Sequence, residues 1–367
     1  MLYLNSANQA PMPSCVRNAL AEFLNEGNEM AGPKATWTRR VETARQKVAT
    51  LLNADASEIA FTKNTSDGLN IAANAVPLKA GDTVLMLTAD HPNNAYAWLN
   101  LQRKGVKIRF IDLANDQIAT GQTFAPHIDW STKVITLSHV TYHAGQRHDI
   151  ESIGRLCAER GIYLVVDAMQ SIGVLNVDVK MLGVSALAAG CHKGLLVPQG
   201  LGVLYVKGGL SELQPAYLGM HSLANPPADY IANPNDMTTR KDAGRFEFGN
   251  YSLPHLHALA SAVDLILNAG AANIEQHVLN LGDRLIANLD GLGIKLLGPR
   301  ERSQRSHIYV LELPAAEWAE YFAENQVRVT AVRGGIRISF GVFNTEEDVD
   351  QLIGLIAARM RSANPSS

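Results

Sequence analysis

The sequence predicts an α/β fold: a large domain around a mostly parallel sheet, with helices on both faces, and a smaller α+β domain after it. Three observations carry this. Short apolar runs recur at a steady interval: "EIAF" (58–61), "TVLML" (83–87), "KIRFID" (107–112), "KVITLS" (133–138), "IYLVVD" (162–167) and "GVLYV" (202–206). Helical patterns lie between them, as in "HDIESIGRLCAERG", where Ile150, Ile153, Leu156 and Cys157 share one face and Gly161 supplies a stop. Near-continuous apolar strands alternating with helices are the signature of a sheet buried on both faces. Third, the rhythm changes at Leu253, after a Pro-, Asn- and Asp-rich loop over 213–244.

Taken in order, the later elements follow the same rules. "LPHLHALASAVDLILNAG" and "NIEQHVLNLGDRLIANLDGLG" read as long amphipathic helices. Strand-like "SHIYVLEL" and "GIRISFG" come next, then a last helix from Thr345 with acidic residues in its first turn. The opening "LYLN" is a short strand with no place in the parallel series, so it is expected to join the later unit. The expected domains are therefore 15–252, and 1–14 with 253–367. No repeat is visible, and the only low-complexity tract is the tail "SANPSS".

Composition narrows the function classes. Apolar residues are 47% and charged residues 18%, enough for a large core and far from a disordered chain. A formal net charge of −3 gives no reason to expect nucleic acid or an anionic membrane as partner. The three cysteines, Cys15, Cys157 and Cys191, form no CxxC pair, so neither a disulfide framework nor a zinc site is indicated. With no signal-like N-terminus and no long apolar run, the expectation is a soluble cytoplasmic protein without a metal.

Ligands of open parallel sheets bind beyond the carboxyl ends of the strands. After the first run, Thr65, Ser66 and Gly68 stand where a helix starts, a place suited to phosphate, although a ligand-free helix cap looks the same. Neither a Walker lysine nor a GxGxxG is present there. His91, before Pro92, can stack on a flat ring or simply face solvent. His139, Tyr142 and His143 crowd another strand end, as a polar turn or a site. Asp167 closes an apolar run, a costly place for a carboxylate unless a cation meets it, and Gln170 lies one turn on. Lys193 follows "SALAAG", where desolvation would make its amine nucleophilic. A phosphate cradle, a stacking ring, a carboxylate for a pyridine nitrogen, an amide for a ring oxygen and an amine for an aldehyde match one cofactor, pyridoxal 5′-phosphate (PLP), held as a Schiff base.

The chain resembles the class V aminotransferase family, PLP-dependent fold type I enzymes that include cysteine desulfurases, isopenicillin N epimerase-like proteins and kynureninases. The resemblance runs from "YLNSANQAPMP" to "RISFGVFNTEEDVDQL" and is strongest in "VVDAMQSIG", "GCHKGLLVPQGLGVLYV", "RFEFGN" and "GIRISFGVFNTEEDVD". It implies a seven-stranded, mostly parallel sheet in the large domain. It implies that Lys193 is the Schiff-base lysine and moves the α-proton, that Asp167 pairs with the pyridine nitrogen and that Gln170 contacts the ring oxygen. His91 falls on the stacking histidine, Thr65 and Ser66 on the phosphate-binding pair, and His192 on the histidine before the lysine. Arg337 falls on the arginine that clamps the substrate α-carboxylate, a task suited to a guanidinium. A homodimer is implied, with each site completed by the partner.

Departures from the pattern matter. The family's "RFExGT" reads "RFEFGN", so Asn250 would replace a threonine that reaches the partner's phosphate. Cys191 stands where desulfurases carry a small residue of a Ser-Gly-His-Lys run, and is expected to be a buried apolar residue. Gly194 replaces a frequent large aromatic, an expectation of a more open pocket. Desulfurases that form a persulfide carry a cysteine before the arginine strand; "ENQVRVTAVRGGIR" has none. The expected activity is therefore PLP chemistry on a small α-amino acid, leaning to desulfurase-like β-elimination. Transamination or epimerisation is the alternative within the family. A silent PLP-binding protein is the alternative outside enzymes, and the intact Lys193, Asp167, His91 and Arg337 speak against it.

Overall fold

The computed structural model describes residues 1–363. The last four residues of the low-complexity tail lie outside the described residues. The chain opens with β1 (Leu2–Tyr3), α1 (Ser14–Glu29) and α2 (Lys34–Leu52). Then come β2 (Ile59–Thr62), α3 (Thr65–Ala75), β3 (Thr83–Leu87), α4 (Pro92–Leu99), β4 (Lys107–Ile111) and the single turn α5 (Gly121–Phe124). β5 (Thr132–Ser138), α6 (Ile150–Arg160), β6 (Tyr163–Asp167), the short α7 (Val179–Leu182), β7 (Ala186–Gly190) and β8 (Gly202–Val206) complete the main sheet.

Its seven strands lie in the order β2-β8-β7-β6-β5-β3-β4. β3, β4, β5, β6 and β7 pair in parallel, and β8 runs antiparallel to both β7 and β2. Side chains alternate between two cores, as a two-residue period requires. Leu85, Ile135, Leu164, Val166 and Leu187 face one cluster; Val84, Val134, Val165, Ala186 and Ala188 face the other. The small residues of β7 have a packing reason. A Cβ on Gly68 of α3 would lie 2.9 Å from Ala188 Cβ, so helix and strand already touch.

The remaining elements are α8 (Leu253–Ala269), α9 (Ala271–Gly291), β9 (Ile308–Leu311), α10 (Ala315–Glu324), β10 (Val327–Arg328), β11 (Thr330–Val332), β12 (Gly335–Ser339) and α11 (Glu346–Ala363). β11, β12 and β9 make an antiparallel sheet in that order, and β1 pairs in parallel with β10. A third core unites Leu2 and Leu4 with Leu281 and Leu285 of α9, Ile336 and Ile338 of β12, and Leu352 and Ile356 of α11. α8 behaves differently from its sequence neighbours. Its buried Leu256, Leu259, Val263 and Ile266 join the main core with Val41, Val48 and Leu52 of α2. The expected boundary at residue 253 therefore falls before a helix that packs on α1 and α2 within the main core. Among the described residues no helix is long and apolar enough to cross a membrane.

Candidate active site

Register places the key strand ends side by side. Ser138 pairs with Asp167, and Asp167 with Ala188, so β5 and β6 end level and β7 runs two residues further, to Gly190. The chain order reverses between β3 and β5, the switch point at which α/β sheets open a crevice. A cleft of about 530 Å³ opens there. Thr65, Ser66, His91, Tyr142, Asp167, Gln170, His192 and Lys193 line it together. Asn250 is not among them. It is exposed and lines a neighbouring groove that shares Lys63 and Gly200 with the cleft.

Lys193 sits on a loop pinned at both ends. Leu196 N–H donates to Lys193 O at 3.0 Å, Val197 N–H to Cys191 O at 2.9 Å, and Cys191 N–H to Leu201 O at 2.9 Å. Leu196 takes a left-handed φ of 61°, a conformation a leucine holds only where its surroundings impose it. Burial pushes the Lys193 amine down to about 8; Asp167 opposes this and Arg337 adds to it. Gly194 does not open the pocket, contrary to expectation. A Cβ there would meet Ile172 O at 2.1 Å, so this glycine faces backbone and serves close packing.

Asp167 accepts one hydrogen bond, from Met169 N–H at 2.9 Å, and is buried. Burial pushes its carboxyl up to about 7, with Asp90 adding and Lys193 opposing. Among the described residues no salt bridge meets this acid; Lys193 acts on it from beyond ion-pair distance. Gln170 donates through Nε2 to Ala7 O at 3.0 Å, while its Oε1 is buried with no partner. His91 caps α4, its Nδ1 accepting from Asn93 N–H at 3.2 Å. Its ring meets Tyr142 edge-on at 5.0 Å, and burial, helped by Lys193, holds its pKa down. Burial, again with Lys193, brings His192 to about 4. Both imidazoles are therefore neutral near pH 7.

Thr65 and Ser66 open α3, whose N-cap is Asn64. Asn64 Oδ1 takes Asp67 N–H at 2.9 Å, leaving the residues between it and Asp67 turned to the cleft end of the helix. The Thr65 hydroxyl donates to Met169 Sδ at 2.9 Å. A Cβ on Gly190 would lie 3.1 Å from Thr65 Oγ1 and 3.3 Å from His192 Nδ1, so the glycine keeps this corner clear.

Arg337 lies outside the lining of the cleft, yet its charge reaches Lys193. It is buried on β12 between Ile336 and Ile338, which face the third core. Its Nη1 donates to Tyr142 O at 3.0 Å and its Nη2 to Asn5 Oδ1 at 3.5 Å; Nε is buried without a partner. Among the described residues no carboxylate pairs with it. A buried guanidinium without an acid is an anion site in waiting.

Sequence reasoning missed Asp90. Its half-buried carboxylate accepts from Ser138 N–H at 2.8 Å, from the Ser138 hydroxyl, from His91 N–H at 2.6 Å and from Asn94 Nδ2 at 3.1 Å. It ties β5 to α4 beside the cleft. His307 was missed too; it is fully enclosed near Lys193 and Arg337 and pushed down to about 3 by burial first and those charges next. The signal for Asp90 lay in "TADHP", where an acid directly precedes the histidine. Of the residues at the crowded strand end, Tyr142 lines the cleft, while His139 is buried beside Asp167, its N–H donating to Asp167 O at 2.8 Å. His143 has both ring nitrogens buried without partners.

Comparison with known proteins shows the family and the fold. The model of the aminotransferase class-V family matches residues 2–352. An uncharacterized aminotransferase of Schizosaccharomyces pombe is 35% identical over 359 residues, covering 96% of this chain and 90% of that protein. A probable cysteine desulfurase of Methanothermobacter thermautotrophicus is 31% identical over 301 residues, covering 79% and 74%. The apo structure of a cysteine desulfurase from Thermococcus onnurineus superposes with a TM-score of 0.89 at 25% identity, over 98% and 95% of the two chains. The cystine C–S lyase C-DES, solved with cysteine persulfide, shares the fold with a TM-score of 0.88 at 23% identity, over 97% of each chain. The chain belongs to the aminotransferase class-V family.

Proposed function

We propose that this enzyme uses PLP to cleave the bond at Cβ of a small, sulfur-bearing α-amino acid by β-elimination, without a persulfide on the protein. The observation that carries the last part concerns thiols. Cys157 and Cys191 are buried, and burial alone pushes Cys157 up to about 12 and Cys191 higher still. Cys15 lies on α1, packed against the main core. Between β10 and β12 the chain runs through a tight hairpin, Val332 opposite Gly335, with no cysteine in it. Among the described residues no cysteine lines the cleft that holds Lys193.

The residues present fit PLP. The second N–H of Gln170 Nε2, the acid Asp167 with no salt-bridge partner among the described residues, the clear corner at Gly190 and the N-terminus of α3 are complementary to its ring oxygen, ring nitrogen and phosphate. Bound there, PLP supplies an electron-accepting ring that stabilises negative charge at the substrate Cα. Asp167 would hold a proton on the ring nitrogen, and that cation would return the carboxyl to its charged form. Thr65, Ser66 and His192 would hold the phosphate and His91 would pack on the ring face. Asn250, exposed in the adjoining groove, would reach a phosphate only across a dimer. Lys193 would hold the cofactor through its amine and would take the proton from the substrate's Cα. Arg337 receives the α-carboxylate.

For L-cysteine the balanced outcome is pyruvate, ammonia and sulfide from cysteine and water. Incubating the holoenzyme with L-cysteine and no keto acid tests this: pyruvate and sulfide should form in equal amounts. Product that forms only when a keto acid is added would assign an aminotransferase instead, the reading the S. pombe relative favours.

A further inference from the structure

We propose that Asn5 is a positioning residue that sets the Arg337 guanidinium for the substrate's α-carboxylate; this rests on the reading of Arg337 given above. A guanidinium has five N–H donors on a long, mobile stem, and bidentate capture of a carboxylate requires its plane to be fixed. Arg337 has two such fixings. One is the Tyr142 carbonyl, at 3.0 Å from Nη1, and the other is Asn5 Oδ1, at 3.5 Å from Nη2. Three donors stay free, among them the unpartnered Nε.

The backbone brings Asn5 there by register. The segment after β1 is held between two strands: Leu4 N–H donates to Arg328 O at 2.9 Å, and Ser339 N–H donates to Leu4 O at 2.9 Å. Asn5 forms a parallel bridge with Ser339. Arg337 and Ser339 are two apart on β12 and so share a face. Thr330, the register partner of Arg337 on β11, donates its hydroxyl to Asn5 Oδ1 at 2.7 Å. The amide oxygen is thus itself held in place. Because it belongs to a neutral group, it orients the guanidinium without cancelling the charge that the carboxylate needs.

The same segment reaches the cofactor side of the cleft. Ala7 O accepts from Gln170 Nε2 at 3.0 Å, and Ala10 N–H donates to His192 O at 3.1 Å. One strap therefore references the arginine to residues of the large sheet 163 and more positions away in sequence.

The test uses the PLP-loaded enzyme and two amines that differ by the carboxylate alone, L-alanine and ethylamine. Affinity is read from the shift of the cofactor's visible absorbance. Asn5→Ala should weaken L-alanine about tenfold, the worth of one hydrogen bond to a charged group, and leave ethylamine unchanged. Thr330→Val, nearly isosteric, should shift L-alanine in the same direction by less. Equal weakening of both amines, or of neither, overturns the role of Asn5. Arg337→Ala separates the two levels. Loss of the preference for L-alanine in Arg337→Ala, with the preference intact in Asn5→Ala, sinks the positioning role alone. A preference that survives Arg337→Ala sinks the carboxylate reading and this inference together.

Discussion

Lys193 owes its reactivity to burial, and burial has a pH signature. With its amine near 8, the neutral form grows as pH rises and is nearly complete by about pH 9. The rate at which the apoprotein takes up PLP, followed by absorbance, should climb through this range and level off above it. A rate that climbs on toward pH 10.5 would mean an ordinary exposed lysine. Lys193→Ala should lower turnover by about a thousandfold, the usual worth of a positioned acid–base group, with little effect on folding. These residues were legible in the sequence because each follows a strand, and a strand end in a parallel sheet is a predictable place. Asp90 and Asn5 were not. Asp90 matters through Ser138, 48 residues on, and Asn5 through Arg337, 332 residues on. No local pattern encodes such a meeting.

Among the elements, the edge strand β2 shows why a motif can mislead. "RFEFGN" reads as part of a cofactor site, yet its Arg245 and Glu247 are structural. Arg245 donates to the carbonyls of Leu210, Leu213, Lys241 and Asp242. Glu247 is buried; it takes Phe61 N–H of β2 at 2.7 Å, Arg45 Nη1 at 2.8 Å and the Tyr251 hydroxyl at 2.8 Å. It closes the open edge of the sheet and ties α2 to it. Glu247→Ala leaves buried Arg45 with only the exposed Glu42 as its acid and should cost about 3 kcal/mol, read from the denaturant midpoint. A cost below about 1 kcal/mol would show that water replaces the carboxylate freely. The helices themselves were legible from their periodicity. Which core α8 joins was not, since an apolar stripe says that a face is buried and not against what.

At the scale of the molecule, buried imidazoles govern the response to acid. Burial pushes His139, His148 and His307 to about 3. Unfolding restores ordinary values near 6.5, so between pH 3 and 6.5 the unfolded chain binds more protons and stability falls as pH falls. Asp167, raised to about 7, acts oppositely: its contribution is full below about 4 and is lost as pH rises toward 7. His192 and His91 are held down as well, and Asp90 is raised beside Asp167, so depressed imidazoles outnumber raised carboxyls around the site and the apoprotein should lose stability on acidification from pH 6.5. Its denaturation midpoint should fall steadily with pH, and a midpoint that rises or stays flat from 6.5 to 4.5 would contradict these burials. The alternation of β and α units, and the change of rhythm after the main sheet, were readable because sheet burial leaves continuous apolar runs. The short β10 and β11 were not, being set by the β1 and β12 strands they pair with.

If the amine of Lys193 engages the PLP aldehyde, reduction fixes the bond between them. The PLP-loaded protein is reduced with borohydride, digested and mapped by mass spectrometry. A pyridoxyl-phosphate adduct on Lys193 is the predicted result; a loaded protein whose Lys193 peptide stays unmodified, or whose label sits on another lysine, would contradict it.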